Sequence, residues 1–151
     1  MPGLEDLYRE IILDHYRTPR NRGELAPPAV RAEGHNPLCG DEIQVYLAVA
    51  DGVVDDIKVA GQGCSISQSS ASMMTQAVKG KRLEDVSALV RRFHAMMGLD
   101  DADGEADPSL AAVKLGDLEA LQGVVKFPVR IKCATLAWTT LLHAMAELPA
   151  A

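Results

Sequence analysis

The chain has 151 residues, the length of one ordinary domain, and its 48% hydrophobic, 24% charged and 4% aromatic residues suit a packed core rather than a disordered segment. A formal net charge of -6 argues against a nucleic-acid or anionic-membrane partner, because both need a clustered positive field. No stretch approaches the roughly 18 apolar residues of a membrane-spanning helix, and acidic residues stand near the N-terminus where a signal peptide would be apolar, so a cytoplasmic location is expected.

In chain order, residues 4–16 carry Leu4, Leu7, Tyr8, Ile11 and Ile12 at helical spacing, and Thr18-Pro19 supplies a stop. Arg17, Arg20 and Arg22 then form the one basic run, read as a solvated helix end or as a dock for an acidic partner. Residues 30–34 fit a short strand. Residues 43–50 alternate Ile43, Val45, Leu47 and Val49 with Gln44, Tyr46, Ala48 and Ala50, Asp51-Gly52 reads as a hairpin turn, and residues 53–60 return. On that return strand Val53, Ile57 and Val59 share a face with Asp55.

Gly61-Gln62-Gly63 ends the strand pattern, and Ile66, Met73, Met74, Ala77 and Val78 predict a helix closing at Gly80. Another helix is expected over residues 83–97, followed by an exposed acidic loop over 100–109, a short helical piece over 115–121, and a last helix from about Ile131. The order α–βββ–αααα is an α+β arrangement, a three-stranded antiparallel sheet with helices packed on one face.

The three cysteines, Cys39, Cys64 and Cys133, are too few and too scattered for a secreted disulfide framework. Each falls at a junction: before the long strand, in the glycine loop before a helix, and at the expected start of the last helix. A thiol at a helix N-terminus faces unpaired N–H groups that favour thiolate. Gly40 between Cys39 and Asp41, and Gly61 and Gly63 before Cys64, permit tight loops that aim side chains at one point. Cys39, Asp41, Cys64 and Cys133 make a permissible tetrahedral zinc set. Spacing alone leaves two readings open, a metal site or small core thiols with Asp41 as a turn residue. The four histidines read as surface or helix-face residues; His35, four positions before Cys39, is the strongest histidine candidate.

The run Glu33-Gly34-His35-Asn36-Pro37-Leu38-Cys39-Gly40-Asp41, then Gly61-Gln62-Gly63-Cys64-Ser65-Ile66-Ser67, then Arg130-Ile131-Lys132-Cys133-Ala134, resembles the IscU/NifU-like family of iron–sulfur cluster assembly proteins, most closely its SufU branch. The resemblance spans nearly the whole chain and implies one IscU/SufU-like domain over residues 1–151. It implies a surface site of Cys39, Asp41, Cys64 and Cys133 holding zinc, with Cys39 accepting a persulfide from a PLP-dependent cysteine desulfurase of the SufS type and relaying sulfur to downstream cluster assembly proteins. Scaffold members carry a histidine before the third cysteine; here Lys132 takes that place, and residues 91–115 look like an extra segment of the sulfurtransferase branch. A scaffold building a [2Fe–2S] cluster from iron on the same residues, and an interaction module with structural zinc, are the alternatives. Arg130 and Lys132 flank the third ligand, either stabilising thiolate charge and orienting a partner or simply solvated.

Overall fold

The computed structural model describes residues 2–37, 40–98 and 114–148. Helix α1 (Pro2–Arg17) leads into strands β1 (Val30–Asn36), β2 (Asp41–Ala50) and β3 (Val53–Gln62), then helices α2 (Ser65–Val78) and α3 (Leu83–Met96). A 3-10 helix over Gly116–Lys126 precedes helix α4 (Pro128–Ala146). The expected acidic loop over 100–109 lies outside the described residues.

The sheet is antiparallel in the order β1-β2-β3. Asp51 and Gly52 turn the β2–β3 hairpin with φ of 53° and 76°, the paired positive angles that match the twist of the flanking strands. One irregularity corrects the sequence reading. The register shifts between Ala48 and Val49, so Ala48 pairs with Asp56 but Val49 with Val54, leaving Asp55 unmatched. This bulge changes the strand's phase, which exposes Asp55 and brings Val54 inward alongside Ile57 and Val59. A charged residue on the apolar face is thereby avoided.

The free edge of β3 is covered by neighbouring chain. Val59 exchanges backbone hydrogen bonds with Asn21 and Gly23, at 3.0 and 3.1 Å, and Val54 does so with Lys81 and Gly80, both at 2.8 Å. The basic run serves this docking: Arg20 pairs with Asp14 at 2.6 Å, and Arg22 donates to Gln68 and to the Gly61 carbonyl.

Helices α4 and α2 lie on the apolar face, α4 against β1 and β2, α2 against β3. Gly34 makes the first contact possible, since a Cβ there would collide with the Thr140 hydroxyl. Helix α2 is rich in buried hydroxyls, and each finds a partner: Ser69 donates to the Ile12 carbonyl of α1, Ser70 to the Ala134 carbonyl of α4, and Ser72 bonds His15 at 2.8 Å. Trp138 donates to Ser70 and stacks on Phe93 with centroids 4.4 Å apart, closing the core between α3 and α4. His15, a helix-face residue by sequence, is fully buried and reaches Asp117 at 3.2 Å, so it ties α1 to α2 and to the 3-10 helix.

Two elements differ from expectation near the C-terminus. The helical piece expected over 115–121 runs to Lys126 as a 3-10 helix, because Leu115, Leu118, Leu121 and Val124 repeat every third residue and all are buried. Helix α4 starts three residues before Ile131, at Pro128, whose fixed φ and missing N–H suit the first helical position.

Candidate metal centre

The sheet and two helices meet at the end of β2 where Asp41 begins the strand. Asp41 pairs with Asn36 across the β1–β2 register, and the two side chains therefore share a face of the sheet. Asp41 is 1% exposed. Its Oδ1 accepts the Cys64 backbone N–H at 2.9 Å, and its Oδ2 lies 4.0 Å from Cys64 Sγ.

Cys64 arrives on the loop that follows β3. Gly61 takes a φ of 120° and brings its backbone against the Glu42 carbonyl, a conformation and a closeness that a side chain would forbid. Gly63 has the same role at the site itself, since a Cβ there would stand 2.5 Å from Asp41 Oδ1 and strike the Ser67 hydroxyl. Cys64 then caps α2: its Sγ accepts the Ser67 N–H at 3.5 Å, while the Ser67 hydroxyl donates to the Cys64 carbonyl at 3.1 Å. The expectation of a cysteine facing unpaired helix N–H groups holds here.

It does not hold for Cys133. Because α4 begins at Pro128, Cys133 sits in the second turn, fully buried, on the side of the helix that faces the sheet. Its sulfur approaches the Asn36 side-chain amide at 3.5 Å.

The ligand atoms of Asp41, Cys64 and Cys133 all lie within 4.8 Å of one another. Ligands held at about 2.0–2.3 Å around a tetrahedral ion stand roughly 3.3–3.8 Å apart, so the three fit such an ion once their side chains close by about an ångström. Two soft sulfurs and one hard oxygen suit zinc or iron. Each ligand has an N–H donor: Asp41 and Cys64 as described, and Cys133 from Asn36, which also reaches Asp41 Oδ2 at 3.5 Å. A buried carboxylate between two sulfurs is an environment that a bound cation compensates.

Cys39, the fourth expected ligand, lies outside the described residues. His35 is exposed and alternates with Asn36, so its side chain is on the other face of β1 and away from the group. Arg130 and Lys132 are exposed on either side of Ile131. Sequence reasoning gave no role to Asn36 or Ser67. Their signal was present: Asn36 closes the short β1–β2 connection opposite Asp41, and Ser67 is the third residue after a capping cysteine.

Comparison with known proteins agrees with this architecture. The family described as the NifU-like N-terminal domain matches residues 7–134. The zinc-dependent sulfurtransferase SufU of Bacillus subtilis is 47% identical over 145 residues, covering 96% of this chain and 93% of that protein. The iron–sulfur cluster assembly scaffold protein IscU of Streptococcus pyogenes is 42% identical over 143 residues, covering 94% and 84% respectively. Among solved structures, an iron–sulfur cluster assembly scaffold protein for the SUF system from Fervidobacterium islandicum superposes with a TM-score of 0.79 at 29% identity, covering 95% of this chain and 99% of that one.

Proposed function

The chain belongs to the family of NifU-like N-terminal domains, and from that premise we propose that it is an iron–sulfur cluster assembly protein of the SufU type, a cytoplasmic carrier that takes sulfur on Cys39 beside a zinc ion. The observation that carries this reading is the meeting of Asp41, Cys64 and Cys133, drawn from three separate stretches of chain, at one point with their ligand atoms within 4.8 Å. Cys39, two residues before Asp41 in sequence, completes the set of three sulfurs and one oxygen. A zinc ion bound by them supplies positive charge that keeps thiolates deprotonated and guarded against oxidation.

The sulfur donor in this reading is a PLP-dependent cysteine desulfurase of the SufS type. The Cys39 thiolate attacks the outer sulfur of the persulfide on the desulfurase; a new S–S bond forms on Cys39 as the old one breaks, and the desulfurase cysteine leaves as thiolate. The transferred sulfur then passes to downstream cluster assembly proteins. Surface suited to a protein partner adjoins the site. Phe127 and Val129 at the start of α4 are 62% and 61% exposed, and an apolar groove of about 650 Å³ between α1, the 3-10 helix and α4 reaches Ser65, next to Cys64. Arg130 and Lys132 stand on the same stretch, placed to orient an acidic partner surface.

The second reading, a scaffold that assembles a [2Fe–2S] cluster on the same residues, is favoured by the scaffold name of the 42% identical Streptococcus relative. Incubation with desulfurase and cysteine, followed by mass spectrometry, separates the two. The carrier reading expects a persulfide on Cys39 and none in Cys39→Ala, with desulfurase turnover stimulated by the former alone. Normal stimulation by Cys39→Ala would remove the acceptor assignment, and a stable visible-absorbing cluster after anaerobic reconstitution, with no persulfide, would select the scaffold.

A further inference from the structure

We propose that Asn36 is a positioning residue of the metal centre, its one side-chain amide donating to both Asp41 Oδ2 and Cys133 Sγ and so holding together the carboxylate oxygen and the sulfur that face the metal. The inference rests on the metal reading of the site. Asn36 is 5% exposed, and its Nδ2 lies 3.5 Å from Asp41 Oδ2 and 3.5 Å from Cys133 Sγ. Both neighbours are acceptors when ionised, so the amide nitrogen and not the oxygen must face them. The two N–H bonds of that nitrogen supply one donor to each.

The consequence for Asp41 is specific. Oδ1 is already held by the Cys64 N–H at 2.9 Å, and Oδ2 shares its lone pairs between Asn36 and the space between the two sulfurs. The carboxylate is therefore set to offer one oxygen, Oδ2, and to offer it with part of its charge already drawn by a donor. That makes Asp41 a weak, single-point ligand. For Cys133 the same donor withdraws charge from the sulfur, whereas Cys64 receives its own from the Ser67 N–H. Asn36 thus couples the oxygen ligand to one sulfur only, and it does so from β1, an element that carries none of the three ligands.

The test uses the full-length protein loaded with zinc, and with cobalt(II) as a spectroscopic substitute. Asn36→Ala and Asn36→Leu, the latter keeping the volume, are expected to weaken zinc binding 10- to 100-fold in competition with a chromophoric chelator, the range usual for loss of a donor to a metal ligand. The cobalt charge-transfer and ligand-field bands are expected to shift, a change that a purely structural asparagine would not produce. The unaltered protein loaded with cadmium-113 supplies a measurement that does not depend on a variant folding: the Asn36 side-chain amide protons are expected to show coupling to the metal through Cys133. Zinc affinity within twofold of the unaltered protein in folded variants, or absence of that coupling, would overturn the proposal. A wild-type chain that fails to bind zinc, cobalt or cadmium would instead overturn the metal reading itself.

Discussion

Cys64 and Cys133 reach the same point by opposite means. Cys64 is half-buried, hung on a glycine loop, and caps a helix with its own sulfur. Cys133 is fully buried inside a helix, and its position is set by the packing of α4 on β1 and β2. One ligand depends on local backbone geometry and the other on the core. Mutations on the two sides should therefore affect metal binding alike and stability differently.

The largest expected effect is common to both. Zinc at about a thousand times its dissociation constant stabilises a folded protein by roughly 4 kcal/mol, which for a chain of this length raises the melting temperature by about 8–16 °C. Cys64→Ser and Cys133→Ser should each lose most of that rise in a thermal melt with and without zinc. Retention of the full rise by either variant would break the pairing. On the loop side, Gly63→Ala sets a methyl group 2.5 Å from Asp41 Oδ1, and relieving that overlap is expected to cost about 1–3 kcal/mol while weakening zinc binding. Chelator competition and denaturant unfolding would read both.

The contrast shows most clearly in the zinc-free proteins. Cys133→Ser puts a fully buried hydroxyl, on a shorter bond than C–S, where a sulfur meets the Asn36 amide at 3.5 Å, and the loss of packing and of that contact should cost about 1–3 kcal/mol. Cys64→Ser places a preferred capping residue at the start of α2 and should be close to neutral or slightly stabilising. Equal losses would mean that the two positions are not as different as their burial indicates. A smaller loss than that of Cys133→Ser is expected for Ser67→Ala, which removes the 3.1 Å bond to the Cys64 carbonyl at a cost of about 0.5–1.5 kcal/mol, measurable as a shift of the denaturation midpoint.

The same division explains what could be read from the sequence. The Cys64 side is local, and its glycines, its turn and the helix after it follow from residue types within a few positions. The hairpin at Asp51-Gly52 and the alternation of Ile43, Val45 and Leu47 were legible for the same reason. The sequence pattern puts the start of the last helix near Ile131 and Cys133 just after it, whereas proline at the first helical position begins α4 at Pro128. The bulge at Asp55 is hidden in the sequence because strict alternation assigns it to the apolar face, and only pairing with β2 reveals the extra residue. The three-residue repeat of Leu115, Leu118, Leu121 and Val124 was visible but reads ambiguously beside a 3.6-residue helix. Asn36 belongs to the long-range class: its position in a motif is apparent, but its reach to a sulfur 97 residues away exists only in the fold.

The proposed metal centre draws its ligands from these distant stretches. X-ray absorption at the zinc edge of the loaded protein tests this most directly. Three sulfurs at about 2.3 Å and one oxygen at about 2.0 Å are expected around the zinc, with one sulfur lost in Cys133→Ser. A shell of nitrogen and oxygen alone, or one unchanged by that substitution, would contradict it.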